Sequence, residues 1–179
     1  QAKLGWEPKT RFKELIELMV DAGGSDAFWP NGYKWALRTA QMLAAYGVAW
    51  FEEPLVPDAL EEFVLLRRHA PLPIAGGETL TRRQAFAPFL QRGAFDIVQP
   101  DVTKVGGIGE ERRVGWFANE HGVKFVPHGW NTAVGLAADL HLASAFPNTD
   151  LVEYIGGSPY VDDLTTEPWR LDAEGMLAI

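Results

Sequence analysis

From residue 15 onward, short apolar runs alternate with longer stretches whose apolar positions recur at helical spacing. The short runs are LIELMV (15–20), VAWF (48–51), LPIAGG (72–77), FDIVQ (95–99), VKFVP (123–127) and LVEYI (151–155). Between them, Leu60, Phe63 and Val64, then Val114, Phe117 and Ala118, then Leu136, Leu140 and Ala143 mark one face of a helix each. Gly47, Gly93 and Gly122 fall where helices should stop before strands. Pro88, inside QAFAPFLQRG, should kink or shorten its helix.

Strand–helix–strand alternation with nearly continuous apolar strands predicts parallel strands covered on both faces. An open doubly wound sheet and a closed barrel both satisfy that pattern, and the polar residues decide between them. The residues at or just past the runs are Asp21, Glu52, Glu78, Asp101, His128 and Glu153, separated by 31, 26, 23, 27 and 25 positions. Each separation is about one βα unit. A barrel brings all strand ends to one mouth, whereas an open sheet would scatter the outer ones. The predicted fold class is therefore α/β, a TIM-type barrel.

Composition narrows the chemistry. The net charge of −8 offers no basic stripe for nucleic acid, so no nucleic-acid partner is expected. No apolar run is long enough for a membrane span, and residues 1–10 lack a signal-peptide core, which makes a cytoplasmic protein the default. The absence of cysteine excludes thiolate ligands and nucleophiles.

Asp21, Glu52 and Glu78 offer oxygen donors from three successive strands. Any one alone would serve equally well as a helix N-cap. Three carboxylates crowded together need a cation between them or protons on some of them, and an oxygen-only set favours Mg²⁺ over zinc. His128 differs from His69 and His121, which fall in last turns of helices, and from His141, within ADLHLASA. It ends a strand beside Asp101 of the neighbouring one, the arrangement of an oriented general base, although a buried histidine bonded to a loop carbonyl would fit the spacing too. Both groups together suit proton abstraction next to a carboxylate, where a divalent ion stabilises the enediolate and a base takes the proton. The glycine turn in KVGGIGE could cradle an anion, but tight helix entry accounts for it as well.

MVDAG, WFEEPL, AGGE, IVQPDVTKVGGI and VPHGW, in this order, resemble the enolase superfamily, mandelate racemase subgroup. The resemblance implies a (β/α)7β barrel and Mg²⁺ held by Asp21, Glu52 and Glu78. It implies a His128–Asp101 dyad, with Glu153 hydrogen-bonding the substrate carboxylate as an acid. Lys3, in AKLGW, matches the second lysine of a Lys-x-Lys pair across the substrate from the histidine, while Gln1 stands where the first would be. Lys104 reads as auxiliary or structural, and Glu53 as a neighbouring acid rather than a ligand.

The implied activity is Mg²⁺-dependent lyase chemistry, dehydration of a sugar acid to a 2-keto-3-deoxy acid. The alternatives are a racemase or epimerase using Lys3 and His128 on opposite faces, and an inactive truncated barrel. The partner implied is a small-molecule carboxylate, with homo-oligomerisation open. Residues 1–179 read as a partial barrel domain lacking the first strand and the N-terminal capping domain. Only 17 residues separate Lys3 from Asp21, so the second barrel helix should be shortened.

Overall fold

The computed structural model describes residues 32–178. Helix α1 (Gly32–Ala44) leads into strand β1 (Phe51–Glu52), and the βα alternation continues through α2 (Leu60–His69), β2 (Ile74–Gly76) and α3 (Arg82–Gln91). Next come β3 (Ile97–Val98), the one-turn α4 (Val102–Val105), α5 (Ile108–Glu120), β4 (Lys124–Phe125), α6 (Ala133–Ala143) and α7 (Pro159–Asp162). The four strands form one parallel sheet in the order β1-β2-β3-β4, with Phe51 opposite Ile74, Ala75 opposite Ile97 and Ile97 opposite Lys124. Sequential order in a parallel sheet is what a barrel wall requires.

Side chains alternate across this wall because successive strand residues face opposite sides. Phe51, Ile74, Val98 and Phe125 join the large core under the helices, together with Phe63, Phe86, Phe89 and Phe95. Ala75, Ile97 and Val126 form a separate inner cluster with Trp50 against it. Both faces are buried, which explains why the strands read as continuous apolar runs. Phe63, Phe89 and Phe95 lock the helix layer to the sheet, with ring centroids 5.0–5.9 Å apart. Such aromatic pairs add about 0.5–1.5 kcal/mol each beyond their burial.

Several expectations meet the structure directly. Gly47, Gly93 and Gly122 follow their helices with φ of 69°, 67° and 67°. Gly106 and Gly107 turn the chain from α4 into α5, so the glycines of KVGGIGE serve helix entry. Helix α3 runs through Pro88 and ends three residues later. LVEYI is the departure: residues 151–155 are not a strand. Just before it the Phe125 amide donates to the Asn148 carbonyl, without a ladder following, and Leu151 is exposed. A β-rich run needs a partner edge as well as apolar residues. Lys3, Asp21, the run 15–20 and the shortened second helix lie outside the described residues. Among the described residues no helix is long and apolar enough to cross a membrane.

Candidate active site

The strand ends place their polar residues where the alternation sends them. Phe51 faces the helices, so Glu52 faces the inner side, and Gln99 follows Val98 in the same way. The two meet: Gln99 Nε2 donates to Glu52 Oε2 at 2.8 Å, and Trp50 Nε1 donates to the same oxygen at 3.0 Å. These two donors fix the orientation of the Glu52 carboxylate. Glu53 follows at φ 43°, a backbone value uncommon outside glycine, and its Oε1 accepts the Gly77 amide at 2.6 Å. Burial pushes the Glu53 carboxyl above its usual range. The Gly77 bond opposes that rise, while the Glu78 and Glu52 charges reinforce it. Glu53 is thus bonded to backbone rather than salt-bridged, and three acids share one end of the sheet.

Asp101 and His128 sit on the other half of the mouth, and both are buried. Asp101 divides its oxygens. Oδ1 accepts the Thr103 amide at 2.8 Å and the Thr103 hydroxyl at 2.5 Å, capping α4. Oδ2 lies 2.9 Å from His128 Nδ1 and 3.2 Å from Lys104 Nζ. Burial works to raise the Asp101 carboxyl, but the bonds from Thr103, His128 and Lys104 outweigh it and hold the group below its ordinary value. This aspartate caps α4 with one oxygen and meets the imidazole with the other. Lys104 steadies the same carboxylate with a half-exposed side chain. His128 is presented by the strand exit itself, its amide donating to the Pro100 carbonyl at 3.0 Å. Its Nε2 faces Glu78 Oε2 at 3.1 Å, so the imidazole spans from the dyad to the acidic half.

Glu153 reaches the same loop. Its Oε2 accepts the Gly129 amide at 2.7 Å, and a Cβ at Gly129 would lie 2.2 Å from the Glu153 carbonyl oxygen. The glycine after His128 is what allows that approach. The structure therefore brings Glu52, Glu78, Asp101, His128 and Glu153 to one face of the sheet. Lys3 and Asp21 lie outside the described residues. Among the described residues no group of three or more acids or histidines is placed to hold a metal ion. Mutual repulsion at Glu52, Glu53 and Glu78, with oxygen donors alone, fits a hard divalent cation.

The other histidines have local roles. Nδ1 of His69, His121 and His141 each faces the carbonyl four residues earlier, on Leu65, Phe117 and Ala137. Two acids escaped the sequence reading. Glu111 on α5 and Asp139 on α6 are completely buried. Burial pushes Glu111 up to about 9, with help from the Asp139 and Asp101 charges. Burial also pushes Asp139 up to about 7, against a bond from Asn131. A signal existed: Glu111 is in helical step with buried Val114, Gly115 and Ala118, and Asp139 with Leu136, Leu142 and Ala143.

A family model described as "Enolase C-terminal domain-like" matches residues 9–179. The chain belongs to this family, and its fold is that family's TIM-barrel-like domain. It is 37% identical over 158 residues to D-galactarolactone cycloisomerase of Agrobacterium fabrum, covering 87% of this chain and 40% of that protein. It is 30% identical over 159 residues to arabinonate dehydratase of Saccharolobus solfataricus, covering 89% and 41% respectively. The crystal structure of a mandelate racemase/muconate lactonizing enzyme from Sulfitobacter sp. superposes with a TM-score of 0.76 at 34% identity, covering 81% of this chain and 36% of that one. The chain spans about two fifths of the length of these curated relatives.

Proposed function

We propose that this domain carries the site of a Mg²⁺-dependent lyase that removes the proton α to the carboxylate of a sugar acid and releases water to give a 2-keto-3-deoxy acid. The observation that carries the reading is His128, buried with Nδ1 on Asp101 and Nε2 turned toward the acidic half of the mouth. Asp101, held ionised by Thr103, His128 and Lys104, keeps the proton on Nδ1 and stabilises the imidazolium. Nε2 is then the atom that takes the α-proton and returns one to the departing β-hydroxyl. Glu153 Oε2 is bonded to the Gly129 amide, which leaves its other oxygen to serve the substrate carboxylate. Glu52 and Glu78, with Asp21, are the residues that would hold magnesium. Bound there, the ion would stabilise negative charge developing on the substrate carboxylate. The relative named arabinonate dehydratase supports an acid-sugar substrate.

The relative named as a cycloisomerase favours a second reading, isomerisation without loss of water. The racemase or epimerase form of it would set Lys3 against His128 on opposite faces of the substrate. The test is to incubate the protein with a panel of acid sugars and Mg²⁺ in deuterated water. A 2-keto acid product supports the lyase, and α-deuterium without water loss supports the isomerase. Neither, from folded protein that binds Mg²⁺, would leave the inactive barrel.

A further inference from the structure

The loop that follows His128 is pinned from two directions. Glu153 holds the Gly129 amide from one side. From the other, Asn131 Nδ2 donates to Asp139 Oδ2 at 3.2 Å and reaches the His128 carbonyl at a long 3.5 Å. The Asn131 amide itself donates to the Gly129 carbonyl at 2.9 Å, closing a tight turn. The Asn131 side chain lies directly on α6 at Gly135, where a Cβ would come within 2.5 Å of its Cγ and Oδ1. Glycine weakens a helix relative to alanine, so its place in the first turn of α6 needs a packing reason, and the Asn131 side chain supplies one.

The anchor at the far end is itself unusual. Asp139 and Glu111 are completely buried, and Asp139 Oδ1 and both Glu111 carboxylate oxygens have no hydrogen-bond partner among the described residues. The charges of Asp101 and Glu153 face Asp139, and those of Asp139 and Asp101 face Glu111. On the α7 side, Asp162 is occupied by the Gly157 amide. Asn131 is therefore the hydrogen-bond donor that the described residues supply to this buried acid pair, and that donor comes from the loop carrying His128.

We infer that Gly135, Asn131 and Asp139, backed by Glu111, form a strap that fixes the His128 loop, making Asn131 and Asp139 positioning residues for the histidine. The strap rests on the proposed function only in calling His128 the base. Its test is amide hydrogen exchange at Gly129 and Asn131 in the full chain. Asn131→Ala removes both side-chain bonds. Gly135→Ala keeps every donor and acceptor but displaces the Asn131 side chain. Asp139→Asn preserves an acceptor, whereas Asp139→Leu does not.

Loss of one such bond should accelerate exchange at these two amides about tenfold in Asn131→Ala, Gly135→Ala and Asp139→Leu. Asp139→Asn should stay near the wild type. Wild-type exchange in both Asn131→Ala and Gly135→Ala overturns the strap. A purely helical role for Gly135 predicts that alanine there leaves the loop unchanged. If Asp139→Leu does not fold, the other two variants decide. With an active substrate, the strap variants should lose kcat and keep KM. If the wild type turns over no acid sugar, the lyase reading fails while the exchange rates still judge the strap.

Discussion

The two halves of the mouth are completed to different degrees. At the β3–β4 end, Asp101 and His128 are buried and every contact that orients them comes from the protein. At the β1–β2 end, Glu52 is exposed, Glu53 is pushed toward its protonated form by burial and by its neighbours, and Glu78 leans across to His128. Hydrogen bonds and helix caps can preorganise one carboxylate beside an imidazole. Bringing several carboxylates together takes a cation between them or protons on some of them, because the repulsion grows as they converge. The dyad half should therefore be insensitive to metal and the acidic half strongly dependent on it.

The largest test of that contrast is His128→Asn. It should still bind magnesium but lower turnover of an acid sugar by ~10²-fold or more, as steady-state kinetics beside calorimetry would show. Retained turnover would take the histidine out of the chemistry. Next come Glu52→Gln and Glu78→Gln, each expected to weaken magnesium at least ~10-fold in calorimetric titration, given that even outer partners of a ligand matter that much. Unchanged affinity in both variants would remove the ligand assignment.

Behind both halves, Glu111→Gln probes pH dependence. The folded carboxyl is raised from 4.5 to about 9. Its contribution to stability is thus complete below pH 4.5 and is lost as pH rises through about 9. Between those values the wild type should lose up to ~1.4 kcal/mol per pH unit in urea unfolding, and the glutamine variant should be flatter and comparatively more stable at alkaline pH. Parallel curves would show Glu111 to titrate normally. The smallest effect belongs to Lys104→Met. An ion pair whose lysine is 41% exposed contributes ~0–1 kcal/mol, so kcat should fall less than about fivefold. A loss as large as that of His128→Asn would make Lys104 part of the chemistry.

What the sequence revealed and what it concealed have a common physical origin. Glu52, Glu78, Asp101 and His128 were legible because an apolar strand that ends on a charge is costly without a reason, and the structure brings all four to one face. Glu111 was not, because an acid near a helix start reads as a favourable dipole contact until packing shows which way it faces. Asp139 was not, because a mid-helix acid is read as solvated until its helix is seen to be buried nearly all round. LVEYI misled for the opposite reason, since strand propensity carries no information about whether a neighbouring edge is present. Glu53 and Lys104 were read as neighbours of the site rather than as ligand and base. Their partners, the Gly77 amide and Asp101 Oδ2, depend on turns whose geometry no spacing rule supplies.

The split loyalties of Asp101 have a consequence for anyone rebuilding this site elsewhere. Its two oxygens answer to different parts of the chain, a turn of helix on one side and an imidazole on the other. An asparagine offers a single acceptor oxygen, so it must turn its amide hydrogens either on the Thr103 donors or on the histidine. The dyad is consequently not a portable pair of side chains. Moving it to a new scaffold means moving the strand exit, Thr103 and the four-residue helix α4 as one part.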